Sequence, residues 1–379
     1  MKYLSLVVLT ILIVSCSPKK SQENPLQEEE ILQAPSFYFG ADLSYVNEME
    51  DCGAIYKDAN EISKDPFVIF KEAGTNMVRV RLWHNPTWTA YSNYEDVKKT
   101  ISRAKAQGMY VLLDFHYSDT WADPQKQEIP AAWLPQLNNT EALGDLLYNY
   151  TYETLKNLAD ANLLPDMVQV GNEINPMILQ QGELVWPIDW ERNSYLINKG
   201  IKAVRTISEE KNKEIGVMLH IAQPENGLWW FEQATQNGIT DYDWIGLSYY
   251  PKWSEYSLST ISTALNELMT TYNKRLMIVE TAYPFTLENA DAAGNILGED
   301  SLVPGYPATE QGQLDFLHKL TEVIKGAGGE GLIYWEPAWV SSNCSTPWGQ
   351  GSHWDNATLF DQNKKANLGM TFYNASLQE

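Results

Sequence analysis

A chain of 379 residues is long enough to bury a large core in one or two domains. Its net charge of −22, with no long basic tract, argues against nucleic-acid phosphates or anionic membrane surfaces as targets and fits a neutral substrate. Its 14 Trp and 21 Tyr suit either a large aromatic core or stacking faces for flat apolar surfaces such as sugar rings, and composition alone does not choose between them.

The first residues read as an address. Lys2 is followed by an apolar run over 4–14, broken only by Ser5 and Thr10. The run is too short to span a bilayer comfortably and suits the apolar region of a secretory signal. It ends Ile13-Val14-Ser15-Cys16, which resembles a bacterial lipobox. Residues 1–15 are therefore expected to be a signal peptide, and Cys16 a lipidated N-terminus. Residues 16–36 are polar, with prolines at 18, 25 and 35, and read as a flexible tether. The expected location is the cell envelope, at the outer membrane, held by the lipid alone. The other cysteines, Cys52 and Cys344, give neither a disulfide framework nor a metal spacing. Whether they form a single bridge stays open, because sequence does not show proximity.

From residue 37 the chain alternates. Eight β-rich segments fall at 37–44, 77–83, 110–117, 166–173, 215–222, 244–251, 275–284 and 331–339. Between them lie stretches with apolar residues at three- and four-residue spacing, such as 97–108 and 257–272. Gly74 and Gly108 stand just before strands, where a helix C-cap belongs. Strands alternating with helices imply a parallel sheet. Eight such units fit an α/β fold of the (β/α)8 TIM-barrel type, one catalytic domain over 37–379. The alternative is an open doubly wound sheet, against which no glycine-rich phosphate loop follows the first strand.

In a (β/α)8 barrel the C-terminal strand ends build the active site. Here those ends are loaded. The second strand carries Arg79 and Arg81 and finishes at Trp83-His84. The third carries Asp114 and His116 and runs into Asp119, Trp121 and Asp123. The fourth ends at Asn172-Glu173, the sixth at Tyr249-Tyr250, the seventh at Glu280 and the eighth at Trp335-Glu336. Glu173 and Glu280 belong on strands that face each other across the mouth. Glycoside hydrolysis needs one carboxyl group protonated and one ionised around the scissile bond. An amide such as Asn172 can hydrogen-bond the sugar 2-hydroxyl, a bond that strengthens in the transition state. Arg79 or Arg81 beside Glu280 is expected to lower its pKa and keep it ionised. Glu173, in an aromatic-lined pocket, is expected to keep a raised pKa and act as the acid. A single such Glu would read as a solvated strand end; the set outweighs that reading.

The residues that carry a family resemblance are "FGADLSYVNEMEDCGAIYKD" (39–58), "VRVRLWHNP" (78–86), "LLDFHYSDTWADPQKQ" (112–127), "VQVGNEIN" (168–175), "IGLSYYPKW" (245–253), "IVETAYPFT" (278–286) and "GLIYWEPAW" (331–339). The Asn-Glu pair with a Glu on the seventh strand is shared by a large clan of retaining (β/α)8 glycosidases. With the other motifs, the chain from about residue 37 to the C-terminus resembles glycoside hydrolase family 53, the endo-β-1,4-galactanases. The resemblance implies endo-acting, retaining hydrolysis of β-1,4-galactosidic linkages in galactan, type I arabinogalactan or galactooligosaccharides, by a monomer that needs no cofactor for the chemistry. Glu173 matches the family's acid/base, Glu280 its nucleophile and Asn172 the 2-hydroxyl partner. Arg79 matches the arginine that braces the nucleophile, with Arg81 as second choice, and Tyr249 or Tyr250 the residue beside it. His84, His116, Asp119, Trp121 and Trp335 match subsite residues, although His116 also reads as a hydrogen-bonded core histidine and Trp335 as plain packing. Bacterial relatives often bind calcium in a loop after strand seven that reaches the loop after strand eight. Here Asn289, Asp291 and Asn295 stand where oxygen ligands are expected, but Ala293 replaces a histidine. The long segment 341–356 reads as a second calcium arm, a lid or a subsite wall. The alternatives are another β-glycanase of the clan, a mannanase or xylanase, and a lipid-anchored sugar-binding protein. Binding alone would not need both carboxylates.

Overall fold

Eight short parallel strands close on themselves in chain order: β1 (Tyr38–Asp42), β2 (Met77–Leu82), β3 (Tyr110–Phe115), β4 (Met167–Val170), β5 (Gly216–Ala222), β6 (Trp244–Ser248), β7 (Arg275–Glu280) and β8 (Gly331–Tyr334). The ring is sealed where β1 pairs with β8, Tyr38 opposite Gly331. This closed barrel is the expected fold, and it rules out the open doubly wound sheet. The computed structural model describes residues 34–347 and 349–378, so the expected signal peptide, Cys16 and most of the tether lie outside the described residues.

The helices are α1 (Val46–Asp51), α2 (Pro66–Ala73), α3 (Tyr94–Ala106), α4 (Thr140–Asp160), α5 (Trp190–Glu210), α6 (Pro224–Gln236), α7 (Ile261–Tyr272) and α8 (Glu310–Ala327). α3 starts before the expected residue 97 because the Asn93 side chain accepts from the amides of Glu95 and Asp96. α7 starts later than residue 257, since 257–260 form a turn in which the Ser257 amide donates to Thr260 Oγ1. Gly74 caps α2 at φ 112°, a left-handed conformation that glycine adopts without a Cβ penalty.

The inward face of the barrel changes character halfway up. At the bottom, Met77, Leu112, Met167, Met218, Trp244, Met277 and Ile333 fill the interior as an apolar plug. Side chains alternate faces along a strand, so the next inward residues lie two positions on. There the pattern turns polar: Arg79 then Arg81, Asp114 then His116, Gln169, His220 and Ser248, every one of them buried. Buried charge is costly unless paired and hydrogen-bonded, so this upper layer must form one connected network. The opposite strand faces, including Val78, Val80, Leu82 and Val111, pack against Ile101, Ala104 and other apolar faces of the helices.

The chain's far end is tied to its beginning. Phe372 packs on Phe39 with centroids 5.6 Å apart, and Tyr373 Oη donates to Gly40 O at 3.0 Å. Cys52 and Cys344, left open by the sequence, form a disulfide with Cα atoms 5.5 Å apart. It links the segment after α1 to the long loop after β8.

Candidate active site

β4 ends in a turn that contains two left-handed residues. Gly171 has φ 88°, and a Cβ there would stand 2.5 Å from Ile174 Cγ2. Glu173 is itself left-handed at φ 43°, a conformation that costs a non-glycine residue about 1–3 kcal/mol. The surroundings hold it there. Ile174 N donates to His220 O at 2.9 Å, and Gln127 Nε2 donates to Asn172 O at 2.9 Å and Glu173 O at 3.2 Å. The strained turn sets the Asn172 and Glu173 side chains at the barrel mouth, where both line the same cleft as Glu280.

Arg79 is the hub of the polar layer. Its Nη1 lies 2.9 Å from Glu280 Oε1 and 2.8 Å from Asp42 Oδ2. Its Nη2 donates to Asp114 Oδ2 at 2.9 Å and Asn172 Oδ1 at 2.8 Å. Burial works against its charge, but Asp114, Glu280 and Asp42 more than offset this, so its pKa is raised. Arg79 is thus the residue that braces Glu280. Arg81 serves elsewhere: its Nη1 meets Glu336 Oε1 at 2.5 Å, and its guanidinium lies 4.3 Å from the ring centres of both Tyr45 and Trp121. Burial pushes the Glu336 carboxyl up to about 8. Tyr250 settles the other open pair, since its Oη points at Glu280 Oε2 at 3.4 Å, whereas Tyr249 Oη donates to Tyr256 O.

Arg79 lowers the Glu280 carboxyl, as expected, but does not bring it below its ordinary value. Burial pushes it up, and Glu173, Asp42 and Asp114 add to that effect against Arg79. Glu173 is pushed up to about 7 by burial, with the Ser248 hydroxyl opposing. Glu173 is among the charges that raise Glu280, so ionising one acid disfavours ionising the other. When one proton is shared between them, their contacts decide where it rests. Glu280 touches a fixed positive charge and Glu173 a neutral hydroxyl, so the anion rests on Glu280 and the proton on Glu173.

The cleft has a volume of about 600 Å³, within the range of small-molecule sites. Arg79, Arg81, His116, Trp121, Asn172, Glu173, Glu280 and Trp335 line it, as the sequence led us to expect. Asn172 Nδ2 donates to Ala122 O at 2.8 Å, which leaves its second N–H for a ligand. His116 is both a wall and a braced group, its Nδ1 accepting from Ala122 N at 3.1 Å and its Nε2 3.1 Å from Asp114 Oδ2. His84 and Asp119 do not line the cleft. Asp119 accepts from the amides of Asn85 at 2.9 Å and Ala131 at 2.8 Å and meets His84 Nδ1 at 3.3 Å, so this pair knits the loops after β2 and β3. Sequence reasoning assigned no role to Asp42, Asp123 or Trp339, which also line the cleft. A charged residue at the end of β1 was the available signal for Asp42. Trp339, stacked on Tyr45 with centroids 4.1 Å apart, had none beyond its type.

The loop 286–295 meets the segment 341–356. Among the described residues no three His, Cys, Asp or Glu side chains gather as a metal cluster, so any cation here relies on amide oxygens. Asn295 Nδ2 lies 2.7 Å from both Asn289 Oδ1 and Asp355 Oδ1, while its own Oδ1 is buried without a partner. Asp291 Oδ2 accepts from Ser352 N at 2.9 Å, and a Cβ on Gly351 would come within 2.3 Å of the Asp291 carboxyl. Burial pushes the Asp355 carboxyl up, and Asp291 adds to that. Two carboxylates and two amide oxygens, one of them the unsatisfied Asn295 Oδ1, fit the oxygen-only preference of calcium. These hydrogen bonds join the loop after β7 to residues 352–355 of the loop after β8.

The sequence profile described as Glycosyl hydrolase family 53 matches residues 38–373. The chain is 57% identical over 346 residues to an arabinogalactan endo-beta-1,4-galactanase of Cellvibrio japonicus, covering 90% of this chain and 92% of that protein. It is 38% identical over 316 residues to an endo-beta-1,4-galactanase of Bacillus subtilis, covering 80% and 70% respectively. Among solved structures, the Ignisphaera aggregans GH53 catalytic domain superposes with a TM-score of 0.82 at 31% identity, covering 91% of this chain and 98% of that one.

Proposed function

The chain belongs to glycosyl hydrolase family 53, and from that membership and its paired acids we propose that it is an endo-acting, retaining β-1,4-galactanase. The observation that carries the reading is Glu173 and Glu280 lining one cleft with unequal partners, a neutral hydroxyl on one and a guanidinium on the other. Glu280, the ionised member, attacks the anomeric carbon; Glu173 gives its proton to the leaving oxygen and then takes one from the incoming water. The spare Asn172 N–H binds the 2-hydroxyl as the oxocarbenium-like transition state forms. Trp121, Trp335 and Trp339 offer apolar ring faces to neutral sugar rings. A reducing-sugar assay on galactan, xylan, mannan and starch tests the substrate class: release from galactan alone is expected, and faster release from xylan or mannan would overturn it.

We propose further that Asn289, Asp291, Asn295 and Asp355 hold a calcium ion that ties the loop after β7 to the loop after β8. The unpartnered Asn295 Oδ1 supports this. A chelator is then expected to lower the melting temperature by a few degrees. Added calcium should restore it by mass action, worth about 2.7 kcal/mol at a hundredfold excess over Kd. A melting curve indifferent to both reagents would leave these loops as a ligand-free polar junction.

The N-terminal reading is also a proposal: a lipid on Cys16, an outer-membrane location, and a monomer carried on a polar tether, as Ile13-Val14-Ser15-Cys16 after an apolar run suggests. Cys16→Ala is expected to move the protein from the membrane to the soluble fraction with galactan hydrolysis intact. Unchanged partitioning of that variant would remove the anchor from the account.

A further inference from the structure

Glu173 holds its two carboxylate oxygens in different surroundings. Oε1 accepts from Ser248 Oγ at 2.6 Å, and no described residue donates to Oε2. Ser248 is in turn met by His220, whose Nε2 is 2.9 Å from Ser248 Oγ. The direction of this chain follows from the other ring nitrogen. Glu173 N donates to His220 Nδ1 at 3.3 Å, and Gln169 Nε2 reaches it at 3.0 Å. The Glu173 backbone N–H can only donate, which makes Nδ1 the lone-pair nitrogen, so the proton of a neutral imidazole sits on Nε2 and points at Ser248. Burial, first, and then Arg79 keep this histidine neutral by lowering its pKa well below the ordinary value. Asn172 Oδ1 also lies 3.0 Å from Nδ1, but it already accepts from Arg79 Nη2 at 2.8 Å, while Gln169 Nε2, 3.1 Å from it, lies closest to Asp114 Oδ1 at 2.6 Å. His220, Ser248 and Gln169 are all fully buried, and β5 and β6 bring the pair together, with Ala222 opposite Ser248 in the register.

We propose that His220 and Ser248 are positioning residues that keep Glu173 Oε1 occupied as an acceptor, so that the catalytic proton resides on Oε2; this rests on Glu173 being the acid/base of the proposed reaction. The His220 N–H fixes the serine hydroxyl so that its O–H donates outward to Oε1. An oxygen that already accepts a strong bond is the poorer place for a proton, and only the other oxygen can present it to a leaving group. The same donor serves the second half of the reaction, because it stabilises the carboxylate while Glu173 waits to take a proton from water.

The charged groups facing Glu173 are Asp123 from the loop after β3, Asp114 of β3, Arg79 of β2 and Glu280 of β7, with Tyr250 and His220 the remaining titratable neighbours. Substitution at Ser248 changes none of them. Ser248→Ala is expected to lower kcat/KM on galactan about tenfold, a fraction of what proton donation contributes in general. It should lower kcat/KM far less on a dinitrophenyl β-galactobioside, whose leaving group needs no proton. The basic limb of the galactan pH profile should move to higher pH, because a donor that favours ionised Glu173 is gone. Ser248→Thr, which retains the hydroxyl, should keep the wild-type limb, and His220→Phe should show the Ser248→Ala pattern. If Ser248→Ala yields little folded protein, Ser248→Cys, with its weaker donor, serves the same comparison. Equal losses on both substrates with an unmoved limb would mean that the pair only packs. Glu173→Ala run on the same substrates separates the two claims. If it hydrolyses galactan like the wild type, the acid itself is misassigned; if it alone shows leaving-group dependence, the positioning inference fails and the acid stands.

Discussion

Glu280→Ala is expected to lose activity on galactan and on an aryl β-galactobioside with a good leaving group alike, by on the order of 10⁴–10⁶-fold, the scale on which removing a nucleophile acts. No leaving group is good enough to replace the missing attack, and azide should yield only the α-galactosyl azide. Glu173→Ala should behave differently. On galactan it should lose roughly 10²–10⁴-fold, because the leaving sugar oxygen needs its proton. On the aryl substrate it should still form the glycosyl-enzyme and turn it over slowly, and azide should rescue it with a β-galactosyl azide. As the proposed acid, Glu173 has to be protonated for the first step, and burial pushes its carboxyl up to about 7. Galactan hydrolysis should therefore decline as pH rises through that value, whereas the aryl substrate should be less affected. Wild-type turnover of galactan by Glu173→Ala would refute the mechanism.

Arg79→Met is expected to cost stability as well as activity. The guanidinium is 1% exposed and meets Asp42, Asp114 and Glu280 at 2.8, 2.9 and 2.9 Å. Removing one partner of a buried ion pair costs about 3–5 kcal/mol, because the other charge stays buried. For a chain of this size that corresponds to roughly 4–7 °C in melting temperature. The loss should depend on pH in a fixed sense. Arg79 is the charge that opposes the upward shift of Glu280, so without it that carboxyl is raised further and the folded variant holds its proton to higher pH than the unfolded chain does. Stability contributed that way is present at low pH and disappears as pH rises through the folded value. The gap to the wild type should be small near pH 4 and wide at pH 8. A gap that stays constant across that range would show that Arg79 matters for its volume rather than its charge.

Much of this site is legible in the sequence because strand periodicity is local. "MVRVRL" sets Met77, Arg79 and Arg81 two apart, and such a pattern has an apolar bottom and a charged top wherever it is folded. What periodicity does not show is which partner each group finds. Strand periodicity puts both Arg79 and Arg81 on the inward face; only the closed barrel gives Glu336 to Arg81 and Glu280 to Arg79, the first choice. The direction of the Glu280 shift was missed for the same reason, since it depends first on how deeply the closed barrel buries the carboxyl and then on how many carboxylates share one guanidinium. His220 lies in the apolar run "VMLHIA" and reads there as a lone core histidine; only its distance to Ser248 gives it a task. His84 and Asp119 show the converse. They sit at the right strand ends and carry the right chemistry, yet they spend their hydrogen bonds on backbone amides and on each other.

The seam of the ring has a consequence in time. β1 is made first, but its pairing with β8, the Tyr373–Gly40 bond across 333 residues and the Cys52–Cys344 link across 292 all wait for the end of the chain. Until then a growing chain holds at most seven strands, with an unpaired edge on each side, and open edges invite pairing with other chains. Contacts so distant in sequence also form slowly. The barrel is therefore most exposed to aggregation and proteolysis during synthesis rather than after it, and substitutions at Gly40, Phe372 or Tyr373 should reduce the yield of soluble protein more than the activity of the molecules that succeed in closing.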